Sequence, residues 1–535
     1  MAEKRTYTTK QIGSYLNKAK KYKDDIRSIY EEIFTFTDTY KTMKDSGKTL
    51  FDTQRTIDSD VLDAIDDQVN FIMKGLLPRG SKWADLRIDY RAYKAEKGGD
   101  VVAEKQKREL ETNLALDTEA TFEYLQSSNY YNEVAKAADD LTKVGTGCYR
   151  LNETPSATRP FNYNYVSLDN LYIMEDAQSM PNFVFKYHYG STGEYLYDMF
   201  GKDITLPIDT DENDIEKEAT VIECVLPSYD EAKAITTFKY MVLSEDLKIV
   251  YLETDKNYNP FTVFRSKVLQ GNPWGISKVS GNLEILRDLS TYRAVLELQA
   301  TRIADPAIAF SGDKQILNHL DNTNGAINYI GNPIEAGQSF DIRAIAPQGN
   351  LMPLEGIISD LRQRFRASMF SNPLGNVEET LNRTATEISL RHQMFRDKYA
   401  NMYELLSKEL LEPTFRSPFI ILQARDLLET KEDVLSVMSL SYINELTKIS
   451  NDKVIQSYLQ YTQYVSQINQ AGQFGVTMNM PYVVADIGKR LELPIESIPD
   501  EAQLQEIETF KREQALQQQQ QQAQVAQAQG GQPVG

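Results

Sequence analysis

Apolar residues return every three or four positions through much of the chain, and the stripes they form predict a succession of amphipathic helices. Over residues 9–35, Ile12, Leu16, Ala19, Tyr22, Ile26, Ile29, Tyr30 and Ile33 share one face and lysines occupy the other. A polar linker follows at 38–54. Asp58 then opens a second helix, with Val61, Ile65, Val69, Ile72, Met73 and Leu76 at helical spacing and Pro78 and Gly80 as its stop. Trp83 falls in a short extended piece behind it. Two more helices are expected at 103–126 and 129–143, the second ending at Gly145-Thr146-Gly147 before an extended Cys148-Tyr149-Arg150-Leu151. Glycine at that joint fits the left-handed C-cap that closes many helices.

Between about 160 and 267 the period shortens to two, as in Phe183-Val184-Phe185-Lys186-Tyr187 and Val221-Ile222-Glu223-Cys224-Val225-Leu226, and Gly, Pro, Asp and Asn separate the segments. The expectation is an antiparallel sheet region. After Gly271-Asn272-Pro273-Trp274-Gly275 a long helix is expected to about Ile303, with Val279, Leu283, Leu286, Leu289, Tyr292, Leu296, Ala300 and Ile303 on its apolar side. At 1.5 Å per residue it would be roughly 40 Å long. Residues 305–350 turn strand-like and rich in loops, and a helix at 353–370 follows, so two helices bracket a small β insertion. A loop at 371–383 leads into Thr384-Ala385-Thr386-Glu387, a capping box for a helix to about Leu411 with Ile388, Phe395, Tyr399, Met402, Leu406 and Leu410 on one face. Helical segments are expected again at 430–470 and 481–492. The end, 501–535, holds six consecutive glutamines, Gln517 to Gln522, and reads as helical at first and then disordered.

Length and composition narrow the function. A chain of 535 residues has room for roughly two to four sub-domains, and 41% apolar with 25% charged residues is the balance of a folding chain. The formal charge of -19, from 77 acidic and 58 basic residues, argues against tight, sequence-independent DNA binding, which depends on basic side chains displacing phosphate counterions. Cys148 and Cys224 stand in no CxxC pair and near no histidine, which gives neither a disulfide framework nor a zinc site and fits a reducing cytoplasm. The first ten residues carry no apolar signal core, and no run of 18 apolar residues occurs, so neither secretion nor a membrane span is expected. The sequons at Asn152 and Asn382 are then chance matches.

Motifs that resemble catalytic or metal sites fail at their key positions. Gly47-Lys48-Thr49 matches the end of a phosphate-binding loop, but Thr42 stands where the first glycine belongs and no apolar strand precedes it. Asp209, Asp211 and Asn213 open like a calcium loop, yet Asp214 and Thr220 replace its glycine and its bidentate glutamate. His188, His319 and His392 stand far apart. No catalytic residue, metal or cofactor is expected. Tyr458, Tyr461 and Tyr464 have the spacing of a core or interface stripe, with base stacking as the alternative. Arg362, Arg364 and Arg366 alternate around a helix, which favours ordinary ion pairs over a single basic stripe.

Three stretches carry a family likeness: Leu76-Leu77-Pro78 followed by Trp83 and Leu86; Asn259-Pro260-Phe261 leading to Arg265 and Gly271; and Asn382-Arg383-Thr384-Ala385-Thr386-Glu387-Ile388. In this order of elements, over roughly residues 50–510, the chain resembles the portal proteins, the head-to-tail connectors of short-tailed, podovirus-type bacteriophages; the first 50 residues add little. The resemblance implies an α+β, mainly helical portal fold. Its parts would be an N-terminal helix and linker at 1–50, a wing of helices and antiparallel sheet at 51–275, a stem helix at 276–304, a clip at 305–350 and a second stem helix at 351–370. A channel loop at 371–383, a long wing helix at 384–412, a crown at 413–500 and the Gln-rich tail at 501–535 would complete it.

The same resemblance implies a ring of about twelve copies at one capsid vertex and no enzymatic activity. The ring would nucleate the procapsid with major capsid and scaffolding proteins, and dock the terminase large subunit. It would pass double-stranded DNA inward, then bind tail and adaptor proteins and release the genome at ejection. Assembly is expected in the host bacterial cytoplasm, with the product in the virion at the portal vertex and no membrane partner. Asn372, Asn376, Asn382 and Arg383 are the candidates for loop groups near DNA, with local turn formation as their alternative role. Asn318, Asp321, Asn322 and Asn324 are the clip candidates for motor and tail contact. The acidity fits a conduit, because each phosphate gripped by a lysine is a brake on sliding. A scaffolding or internal virion protein is the rival reading, and a packaging ATPase or nuclease a more distant one for want of a phosphate loop.

Overall fold

The computed structural model describes residues 7–38, 58–88, 104–201, 218–230, 235–311, 326–330, 342–345, 351–369, 401–430, 438–442 and 457–464, with a few isolated positions. The leading apolar stripe folds as α1, Thr9–Thr37, begun by a capping box between Thr8 and Gln11. Asp58 caps α2, Ser59–Leu76, its carboxylate accepting the Asp60 N–H at 3.0 Å. After β1, Ala84–Ile88, come α3, Glu104–Ser127, and α4, Tyr130–Val144. Gly145 ends α4 at φ 94°, a left-handed conformation that glycine adopts without a Cβ clash.

Strands then follow in quick succession: β2, Thr146–Glu153; β3, Phe161–Tyr165; β4, Leu171–Met174; and β5, Phe183–Thr192. Behind the short helix α5, Gly193–Phe200, lie β6, Glu218–Asp230; β7, Ile235–Ser244; β8, Val250–Lys256; β9, Phe261–Arg265; β10, Val268–Leu269; and β11, Asn272–Gly275. The sheet region is antiparallel as expected, in two main sheets of order β4-β5-β6-β7-β8 and β3-β2-β9. Helix α5 was not foreseen, because its eight residues lie between segments of strand-like alternation. Thr192, the last residue of β5, starts it as N-cap.

The long helix expected after Gly275 is present as α6, Leu283–Ala304, preceded by a separate single turn, Lys278–Gly281. Asn282 leaves helical geometry between them, and its side-chain amide is engaged by the Lys278 carbonyl at 2.7 Å and by Ser368 Oγ. The apolar spacing ran through this break, so it concealed the interruption. Next come β12, Ala307–Ser311; β13, Ile327–Ile330; and β14, Ile342–Ile345, a mixed sheet in which β12 pairs parallel with β13 and antiparallel with β14. Helix α7, Met352–Met369, returns beside α6.

Residues 401–406 are helical, and the helix does not stop at Leu411. A π-turn at Ser407–Leu411 passes into α8, Glu412–Ala424, despite Pro413 and Pro418. Pro413 sits at the junction of the two, where the Glu412 N–H reaches back five residues to the Ser407 carbonyl, the shifted register of a π-turn. A segment expected to be helical contains β15, Met438–Tyr442, paired antiparallel with β1. Its Met-Ser-Leu-Ser-Tyr alternation has the period of a strand.

The chain divides into two compact units, residues 1–80 with 121–427 and residues 81–120 with 428–535. In the first, the N-terminal half of α1 (Ile12, Leu16, Ala19) packs on one face of the five-stranded sheet with Phe185, Ile222, Cys224 and Met241. Its C-terminal half (Ile26, Tyr30, Ile33, Phe34) joins a second core with α2, α6, α7 and the other sheet face, including Val184, Val225 and Val242. Burial on both faces explains why β5 and β6 read as nearly continuous apolar runs. In the second unit, Trp83 is buried, and the Asp117 carboxylate of α3 accepts the Glu429 and Thr430 N–H groups at 2.7 and 3.0 Å.

Candidate functional site

The α6–α7 pair is built outward from a tight root. A Cβ at Gly275 would lie 2.0 Å from the Gly145 carbonyl oxygen, and one at Gly145 would lie 2.3 Å from the Ile276 backbone. Two glycines therefore let the end of α4 and the end of β11 touch main chain to main chain. Tyr30 of α1 donates its hydroxyl to the Gly275 carbonyl at 2.7 Å, and Gly275 N–H donates to Thr146 Oγ1 at 2.9 Å. Ser277 completes the joint by donating to the Lys143 carbonyl at 2.7 Å. Burial pushes the Tyr30 hydroxyl well above its ordinary pKa, so it remains a donor.

Beyond the root, carboxylates from α1 and from the start of α2 meet the arginines of the pair. Asp58 Oδ2 accepts from Arg362 at 2.9 and 3.1 Å and lies 3.6 Å from Arg293, while Oδ1 caps α2. One nearly buried carboxylate thus joins α2, α6 and α7. Asp60 pairs with Arg362 at 3.0 Å and Arg366 at 2.5 Å, and Glu32 of α1 holds Arg287 bidentately at 2.5 and 2.8 Å. Within the pair, Arg364 meets Asp360 at 2.7 Å and Arg293 meets Glu297 at 3.5 Å. Hydrogen bonding to Asp58 raises the Arg362 pKa, and Arg287 lowers that of Glu32.

A third set of charges centres on a fully enclosed arginine. Arg265, at the end of β9, is 0% exposed and reaches Glu409 inside the π-turn at 2.5 to 3.2 Å, Glu175 at 2.5 Å, and the Pro273 and Ser179 carbonyls. Burial pushes the Glu409 carboxyl up and Arg265 pulls it back, the signature of a charge kept inside by its partner. Between the two sheets, Glu223 of β6 accepts Arg150 and Tyr240 at 2.7 Å each and lies 3.0 Å from His188 Nε2. His188 is therefore a core histidine.

The residues singled out in the sequence meet different fates. Arg362, Arg364 and Arg366 form ion pairs, as their alternation implied. Tyr461 and Tyr464 are exposed beside exposed Leu459, so they are not core residues of this chain. Asn372, Asn376, Asn382 and Arg383, with the capping box behind them, lie outside the described residues, as do Asn318, Asp321, Asn322, Asn324, Gly47-Lys48-Thr49 and Asp209 to Asp214. Among the described residues no group of three or more His, Cys, Asp or Glu is placed to hold a metal ion, and no helix is long and apolar enough to cross a membrane. Asp58 was legible only as a helix opener, and Arg265 only as part of a recurring stretch. Nothing local in the sequence names Arg293 or Glu409 as their partners.

Residues 9–494 match the family model described as bacteriophage head to tail connecting protein. The match begins at the first residue of α1, earlier than the likeness in the sequence alone, and ends before the glutamine run. No curated protein matches the chain.

Proposed function

Because this chain belongs to the family of bacteriophage head to tail connecting proteins, we propose that it is the portal of its virion, a closed ring through which double-stranded DNA enters and leaves the head. A connector of this family is a structural protein at the capsid vertex, with capsid and tail proteins as its partners. In our reading about twelve copies close the ring, since a head-to-tail interface repeated around an axis generates one. The ring nucleates the procapsid with scaffolding and major capsid proteins, docks the terminase large subunit, and exchanges it for tail and adaptor proteins after filling. The α6–α7 pair serves as the stem and the β12–β14 sheet as the clip, with Asn318, Asp321, Asn322 and Asn324 toward the motor and tail. Asn372, Asn376, Asn382 and Arg383 act in a channel loop near DNA.

The observation that carries the ring is the outer half of α6. Val295, Leu298 and Ile303 are exposed there, and Leu298 and Ile303 point about 140° apart at 100° per residue. That arc is wider than the stripe one packed neighbour covers, and a helix apolar on several sides is normally buried. A ring supplies a neighbour on each side. Negative-stain microscopy of the purified full chain should show annular particles with an axial hole; monodisperse monomers at micromolar concentration would sink the proposal.

A further inference from the structure

Three arginines of the α6–α7 pair are not withheld from solvent by burial, and two others, Arg293 and Arg362, are about one-third exposed. The side chains of Arg287, Arg364 and Arg366 are 51%, 66% and 48% exposed, enough for a phosphate to reach them. They are withheld by pairing. The two helices carry six arginines, Arg287, Arg293, Arg302, Arg362, Arg364 and Arg366, against five carboxylates, Glu284, Asp288, Glu297, Glu355 and Asp360. Their helical residues alone carry one excess positive charge, and Asp305 at the C-cap of α6 balances it. Glu32, Asp58 and Asp60, which lie on or cap helices α1 and α2, make the sum negative.

We propose that Asp58 and Asp60 are charge-masking residues. They occupy the guanidinium groups of Arg293, Arg362 and Arg366, so that the helix pair offers passing DNA a surface without net positive charge. The inference rests on the reading of this pair as part of the DNA conduit. It assigns the weak hold on DNA to particular ion pairs and not to overall acidity. The Asp60 pairs, with both partners partly exposed, contribute little to stability, at most about 1 kcal/mol, whereas Asp58 is nearly buried and also caps α2, so its substitution has a folding cost of its own that melting must read. Their effect on phosphate is larger, because each freed cation adds a counterion-releasing contact.

The test is duplex binding by the purified full chain across a salt series, with a short labelled DNA of arbitrary sequence. Asp58→Asn combined with Asp60→Asn keeps a side-chain oxygen at the α2 cap but removes both negative charges. Binding should tighten roughly tenfold at low salt, and the slope of log K against log salt should steepen by about two, near 0.9 per phosphate gained. Adding Arg362→Gln and Arg366→Gln should return both quantities to the unsubstituted values. Thermal melting reports whether each variant is folded. If the double variant does not fold, Asp360→Asn, which frees the exposed Arg364, should give about half the change in slope. Unchanged affinity and slope in a folded unmasked variant would overturn the masking. Tight duplex binding by the unsubstituted protein would instead overturn the reading of a conduit through which DNA slides.

Discussion

Arg265 and Arg364 are the same side chain, each held by a carboxylate within hydrogen-bond reach, and they do opposite things. Arg265 is enclosed with Glu409, Glu175 and two carbonyl groups, where every donor has a fixed partner and water is excluded. Arg364 stands two-thirds exposed on α7 beside Asp360, one turn away on the same helix. Enclosure makes the first pair a positional device, because a lone buried charge costs far more than an unmet exposed one. Exposure makes the second an electrostatic device, cheap to break and sensitive to salt. The lesson is that ion pairs in this molecule sort by burial into those that fix the backbone and those that set the charge of a surface.

The comparison is broken most directly at the buried end. Glu409→Ala leaves the Arg265 guanidinium with Glu175 alone among carboxylates, and should cost about 3–5 kcal/mol in a denaturant melt, with loss of helical signal if the π-turn unravels. Replacing Arg265 by Met and Glu409 by Leu together should recover more than half of that loss. A single substitution costing under 1 kcal/mol would show that the pair does not fix the helix.

A smaller effect separates the Glu223 network from both. Burial pushes His188 below the usual histidine value with Glu223 opposing, while Arg150 and His188 hold Glu223 down to about 2 against its burial. Glu223 therefore stays ionised through the acid range in which His188 gains its proton. Because the folded value of His188 lies below the unfolded one, its contribution is complete above about pH 6.5 and is lost as pH falls through the folded value. The loss there is limited to about 1.4 kcal/mol per pH unit, the one-proton slope, and His188→Gln should flatten the melting temperature against pH over that window. An unchanged profile would remove His188 as the source. Smallest of all, Arg364→Ala should shift stability by less than about 0.5 kcal/mol, a limit that a thermal melt checks.

The sequence carried the elements whose signal is local. The stripe of α1 and the cap, stripe and stop of α2 placed both helices to within a few residues, because side chains at three and four positions apart must share a face. It did not carry β15, whose partner β1 is far upstream, nor the break at Asn282, which the apolar spacing spans. The helix expected to end near Leu411 runs on past Pro413 and Pro418, since the π-turn that carries it leaves no composition of its own. The candidate site followed the same division. Arginines at 362, 364 and 366 were recognised as ion-pair formers from their own helix, but Asp58 and Asp60 come from another one.

The glycine contact at the root of the helix pair has a mechanical side. A joint between two elements usually includes side chains, which can change rotamer and yield under load. Where Gly145 meets Gly275 there are none, and the connection passes through carbonyl and amide groups held by Tyr30, Thr146 and Ser277. Helix α6, with 22 residues, is a lever of roughly 33 Å anchored near that joint. A torque applied near Ala304 reaches the ends of α4 and β2 through the break at Asn282, whose side chain is tied to Lys278 and Ser368, and then through main chain, which couples the sheets to whatever grips the far end of the pair.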